Sequence, residues 1–168
     1  MVYLIGINHN IQHNGVSCVT IELQSKFIQF LKEKIKEFNI VFIAEEFNED
    51  ALNYSKGTIA TVEKVAIEAK IKHRFCDPCI KERKEKNIIS ESELRNKLVI
   101  RPLMRKLNKE EQKILKISFL KKERLWFKCI ENKINDPMIF VCGKDHIKSF
   151  KKLLNDKGRK AQIVVFGQ

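Results

Sequence analysis

Glycine, histidine and tryptophan are scarce in this chain: six, four and one among 168 residues. With so few glycines and no Gly-x-x-x-x-Gly-Lys run, there is no phosphate-cradling loop. No Gly-x-Ser-x-Gly segment supplies a nucleophile elbow either. No apolar run approaches the roughly 20 residues that a membrane helix needs. The opening VYLIGIN lacks the basic flank and cleavage site of a secretory leader. The expected setting is therefore the cytoplasm, with no membrane partner. The five cysteines are odd in number and scattered, which argues against a disulfide framework. Cys129 on a helical pattern and Cys142 inside an apolar run read as core thiols. Internal repeats and low-complexity segments are absent.

What is present suits one soluble globular domain over residues 1–168, with 43% hydrophobic and 32% charged residues. The net charge is +12 and unevenly spread. Residues 70–124 hold 18 Lys and Arg against 8 Asp and Glu, and the rest of the chain holds 15 against 13. Such a block can attract nucleic acid or an acidic partner. It also has a simpler reading as solvated helix surface, because 26 of the 33 basic residues are lysine. On that reading nucleic-acid binding is weak.

Periodicity divides the chain into alternating elements. Val2–Ile7 is a short apolar run with β-branched residues, a first strand. Leu23, Phe27, Phe30, Leu31, Ile35 and Phe38 have the spacing of an amphipathic helix. IVFIA (40–44) is a continuous apolar run, as in a strand buried on both faces. Residues 58–71 form a second helix with Thr58 as N-cap, and HRFCD (73–77) is a third strand. Ser90 with Glu93, and Asn108 with Glu111, have capping-box spacing. The second pair opens a helix that runs through Trp126 towards Ile134, before Pro137. MIFVC (138–142) and AQIVVF (161–166) are the last strands, around a helix closed by Gly158. Strands alternating with helices imply an α/β three-layer sandwich with a mainly parallel sheet of about five strands. The expected order is 3-2-1-4-5.

In such sheets chemistry gathers beyond the carboxyl ends of the strands. His9, Glu45, Glu46, Asp77 and His146 all fall there. His9 and His146 share a pattern: an apolar run, a glycine (Gly6, Gly143), and a histidine three residues on. Adjacent strands would deliver both histidines to one rim, each glycine letting the backbone turn off the sheet. Imidazole suits a general base, a general acid or a metal ligand. As rim residues, both should carry little packing. Glu45 and Glu46 point to opposite sides of their strand, so one of them should face the site; alternatively, both open the next helix at the positive end of its dipole. Arg124 can clamp a carboxylate or phosphate, or be simply solvated beside a core Trp126. His73, Cys76 and Cys79 have zinc-like spacing, but no second close pair completes four ligands.

GINH after the first strand, IAEE ending the second, Asp77 with Glu82-Arg83 after the third, ERLWFKCI on the late helix and FVCGKDHIKSF after the fourth strand come in order across nearly the whole chain. Together they resemble a superfamily that includes erythromycin-esterase-like, ChaN-like and TraB-like proteins, and in particular small bacterial proteins within or near that group. The resemblance implies an α/β fold whose rim site holds His9, Glu45 or Glu46, Arg124 and His146. Trp126, Asp77 and Arg83 join Arg124 as candidate substrate-binding residues. In the esterase-like relatives such a histidine activates water. TraB-like relatives include proposed metal-dependent proteases, so a divalent metal is one cofactor option, and ChaN-like relatives are linked to haem. This chain is short, lacks lid insertions and carries Asn8 where an acidic residue often stands. The leading expectation is a small hydrolase acting on a small or anionic substrate. The alternative is a non-catalytic binding module built on the basic block.

Overall fold

The computed structural model describes residues 1–12, 21–54, 58–96, 106–133 and 136–167. It is an α/β sandwich around one five-stranded, all-parallel sheet: β1 (Val2–Ile7), β2 (Phe42–Glu45), β3 (Lys72–Phe75), β4 (Met138–Gly143) and β5 (Ala161–Val164). The helices are α1 (Ile21–Glu37), α2 (Glu49–Tyr54), α3 (Thr61–Glu68), α4 (Ile80–Glu85), α5 (Glu91–Asn96), α6 (Lys109–Ile130) and α7 (Ile147–Asp156). None of the described helices is long and apolar enough to cross a membrane.

Strand alternation builds two cores. Ile5, Ile7, Ile43, Ile139 and Val141 pack against α1 and α3, where Phe27, Leu31, Ile35, Val62, Val65 and Ala66 meet them. Val2, Leu4, Phe42, Ala44, Met138, Phe140 and Cys142 pack against α6 and α7 through Trp126, Ile130, Ile147, Phe150 and Leu154. The buried residues of α1 and α7 recur every three or four positions, as one face of a helix requires. β4 is buried at all six positions.

The helix ends follow the local chemistry. The Asn108 side chain accepts from the Glu111 N–H at 2.9 Å, and the Glu111 carboxylate returns to the Asn108 N–H at 2.8 Å. Ser90 and Glu93 are linked in the same reciprocal way. Gly158, at φ +72°, stops α7 where a side chain would be strained. Thr58 is not the N-cap of α3. That position is Ala60, whose N–H is held by Glu63 at 3.3 Å.

The strand order is β3-β2-β4-β1-β5, not 3-2-1-4-5. β1 and β4 are neighbours as expected, but they have exchanged places, so β4 rather than β1 touches β2. The crossovers to β2 and β3 use the α1/α3 face, and those back to β4 and β5 use the other. Right-handed crossovers require that segregation in either order. Two central strands of nearly equal apolarity leave the choice to helix packing. The chain leaves β4 towards the α7 face, while β1 and β2 lead to the opposite one. The switch-point crevices therefore flank β4.

Candidate functional site

Backbone ladders carry four loops to one end of the sheet. The Glu46 N–H donates to the Val141 carbonyl at 2.8 Å, extending the β2–β4 pairing by one residue. The Asp77 N–H donates to the Phe47 carbonyl at 3.1 Å beyond β3. Short 3-10 turns follow β1 and β4, at His9–Ile11 and Lys144–His146. Between these loops opens a cleft of about 600 Å³, whose lining includes His9, Glu46, Asp77, Arg83, Lys122 and His146.

Glu46 is the centre of the cluster. Alternation turns it to the α6/α7 side, and its side chain is 3% exposed. One carboxylate oxygen accepts from Lys122 and the other from the Gly143 N–H at 2.8 Å. His9 Nε2 lies 3.6 Å from Oε2, and His146 Nε2 lies 3.5 Å from Oε1. Burial by itself would raise the carboxyl's pKa. The charge of Lys122, with contributions from His9 and His146, reverses that and holds it below the usual range. Lys122 is raised in turn: burial opposes its charge, but Glu46 and Asp77 outweigh it.

Glu45 faces the other side and does not reach the cleft. Its carboxylate bonds Gln12 Nε2 at 2.8 Å and His73 Nε2 at 2.8 Å. Burial raises its pKa despite those two partners. Gln12 is fully buried, and its amide also donates to the Glu46 carbonyl at 3.3 Å. With both amide hydrogens directed that way, Gln12 Oε1 is left to accept from His9 Nδ1 at 2.9 Å. That network places a hydrogen on His9 Nδ1, so in the neutral ring it is Nε2, beside Glu46, that carries the lone pair.

His146 is placed differently from His9. Its side chain is 4% exposed against 50% for His9. Nδ1 bonds Glu123 Oε1 at 2.9 Å, and the Ser149 hydroxyl donates to the same oxygen at 2.6 Å. Phe119 and Trp126 pack on the ring, with centroids 4.1 and 4.8 Å away. The expectation that both histidines carry little packing fails for His146.

The glycines act by close approach, not by turning the chain. Neither Gly6 nor Gly143 has positive φ. A Cβ on Gly143 would stand 2.6 Å from His9 Nε2, and one on Gly6 would stand 2.7 Å from Ile147 Cγ1.

Asp77 joins the cluster through Lys122 Nζ at 3.1 Å, Trp126 Nε1 at 3.4 Å and Arg83. Arg83 also donates to the Pro78 carbonyl at 3.1 Å and lines the cleft. Arg124 does not join: it is exposed and outside the cleft lining. Trp126 is fully buried and supports His146 and Asp77 from behind without lining the cleft. The cation that α6 brings into the cluster is Lys122, paired with Glu46 and Asp77. Periodicity held the signal, since Phe119, Lys122, Glu123, Trp126 and Ile130 recur every three or four residues along one stripe of α6, from which Arg124 is displaced. Gln12 had no such signal, being one polar residue in a polar loop.

The donors present do not suit a metal. Among the described residues no group of three or more His, Cys, Asp or Glu could hold one. Both Glu46 oxygens are already taken by Lys122 and a backbone N–H. His73 is turned to Glu45, and Cys79 stands at the N-cap position of α4. The chain matches no family model, no curated protein and no solved structure. What the site can do rests on its own side chains.

Proposed function

We propose that this protein is a small hydrolase-like enzyme in which His9 is the general base. The observation that carries the reading is the orientation of His9: Gln12 occupies Nδ1, and Nε2 faces the cleft beside a buried carboxylate. A water at Nε2 would lose a proton to the ring, and Glu46 would stabilise the imidazolium that forms. Glu46 can do so because Lys122 and Gly143 keep it ionised and immobile. Arg83 spends Nε and Nη2 on Pro78 and Asp77, and its Nη1 donors suit a substrate oxygen or a developing oxyanion. Small anionic or carbonyl-containing substrates fit such a cleft. The resemblance to water-activating esterase-like proteins points the same way.

Residues 97–105 of the basic block lie outside the described residues; its described part supports this reading more than a separate binding face. Lys122 and Arg83 turn into the cleft, and Lys121 caps the carbonyls of Lys86 and Asn87 after α4 at 3.1 and 3.0 Å. The test is a panel of carboxylic esters, phosphate esters and peptides, assayed across pH. His9→Ala should lower turnover at least about 100-fold, the usual scale for a lost general base, with an unchanged melting temperature. Turnover that survives His9→Ala would sink the assignment.

A further inference from the structure

Two cysteines outside the cleft, 53 residues apart in sequence, meet where β3 ends against α6. Cys76 is the first residue after β3 and is buried, and Cys129 lies in the last turn of α6 and is half-buried. Both thiols approach carbonyls of β3: Cys129 Sγ is 3.7 Å from the Phe75 oxygen and Cys76 Sγ is 4.0 Å from the Arg74 oxygen. The Phe75 carbonyl belongs to the peptide bond that leads into Cys76, so its contact with Cys129 Sγ sets the two cysteines side by side at the end of β3. Arg74 lays its guanidinium over the end of α6, donating to the Cys129 carbonyl at 2.7 Å. There it offsets the negative end of the helix dipole.

We propose that Cys76 and Cys129 form a redox pair: a peroxide oxidises Cys129, and Cys76 resolves the product to a disulfide that staples β3 to α6. In the first step the Cys129 thiolate attacks hydrogen peroxide. An S–O bond forms, the O–O bond breaks, and hydroxide leaves, to be protonated to water. In the second step the Cys76 sulfur attacks the sulfenic sulfur. The S–S bond forms, the S–O bond breaks, and a second water leaves with the Cys76 proton. Two thiols lose two electrons and one peroxide gains them.

The order of attack follows from the surroundings. The Cys76 hydrogen bond favours the Cys129 thiolate, burial opposes it, and Arg74 adds to the favourable side, bringing that thiol down to about 7. Cys76 is pushed up by its bond to Cys129 and by burial. The site is also placed to matter. Cys76 adjoins Asp77, and Cys129 is about one helical turn from Trp126, the two side chains that meet behind Lys122.

The experiment treats the folded, full chain with hydrogen peroxide, counts thiols after denaturation, and maps tryptic peptides by fragmentation mass spectrometry, which separates Cys76 from Cys79 within their shared peptide. The expected result is loss of two of the five thiols, one Cys76–Cys129 cross-linked peptide, and recovery of both thiols with dithiothreitol. In Cys76→Ala the same treatment in the presence of dimedone should leave a single adduct on Cys129. Retention of all five thiols, or a cross-link joining a different pair such as Cys76 and Cys79, would overturn the proposal. If Cys76→Ala does not fold, the wild-type peptide map decides alone.

Discussion

The loops after β1 and β4 read almost alike in sequence, yet they build opposite environments. Each has a glycine and then a histidine three residues on, followed by a helical turn. His9 opens its turn, stands half in solvent, and is held by a neutral amide. His146 closes its turn, lies between two aromatic rings, and is held by a buried carboxylate. Both approach the same Glu46, from opposite oxygens. The difference arises outside the motif. α6 covers the β4 loop with Phe119, Glu123 and Trp126, and nothing among the described residues covers the β1 loop in the same way. A repeated motif therefore yields one half-exposed ring at the cleft and one buried ring packed into the cluster.

The most disruptive way to break the comparison is to remove the cation that holds Glu46, the carboxylate both histidines approach. Lys122→Met leaves Glu46 and Asp77 buried without their shared cation. Breaking such a pair costs about 3–5 kcal/mol, so denaturant unfolding should show a large loss of stability. A loss below about 1 kcal/mol would mean that the carboxylates find other partners.

Next come the histidines themselves. His146→Ala removes a packed ring and leaves buried Glu123 with only the Ser149 hydroxyl, at a cost of about 2–4 kcal/mol. His9→Ala should stay within about 0.5 kcal/mol, as is usual for a half-exposed side chain. Equal costs in parallel urea titrations would erase the distinction.

The glycines sharpen it further. Gly6→Ala drives a methyl into the stem of Ile147 and should cost about 1–3 kcal/mol through overpacking. Gly143→Ala meets the far edge of a half-exposed His9 ring, which can swing away into solvent. Its stability loss should be the smaller of the two, while His9 leaves Gln12 and turnover falls. The His9 Nδ1–H tautomer seen by nitrogen NMR should be lost in Gly143→Ala and kept in Gly6→Ala.

The smallest effect separates the adjacent glutamates by pH. Glu46 is held below the ordinary value of 4.5 in the fold. Its contribution is therefore present above that pH and is lost as pH falls through the folded value. Glu45 is raised above 4.5. Its contribution is full below 4.5 and is lost as pH rises through the folded value. One group changes the slope by at most about 1.4 kcal/mol per pH unit. Glu46→Gln should flatten the acid limb of the stability profile, and Glu45→Gln the limb above it. The same limb changing in both variants would show that the two carboxylates share one environment.

Much of the frame was legible before the structure. The strands are short apolar runs, and the helices carry their capping residues, as with Asn108 and Glu111. Those are local properties, decided by neighbours within four residues. The positions of Glu46, Asp77, His9 and His146 past the strand ends follow from the same reading, because parallel α/β sheets place all their carboxyl ends on one side. Arg124 was misplaced because an arginine draws attention as a clamp, whereas Lys122 is one of 26 lysines. Only its place on the buried stripe of α6 sets it apart.

By itself, then, the sequence determined the element types, the parallel α/β class, the adjacency of β1 and β4, and the set of loops that can meet. Tertiary packing decided which of two equivalent central strands β2 would join. It decided that α6 would close over His146 and leave His9 open, that Gln12 would orient that open ring, and that Cys76 would meet Cys129. Each of these depends on contacts between residues tens of positions apart. No local propensity encodes such contacts: they follow from which helix faces fill the volume beside each loop once the sheet has formed.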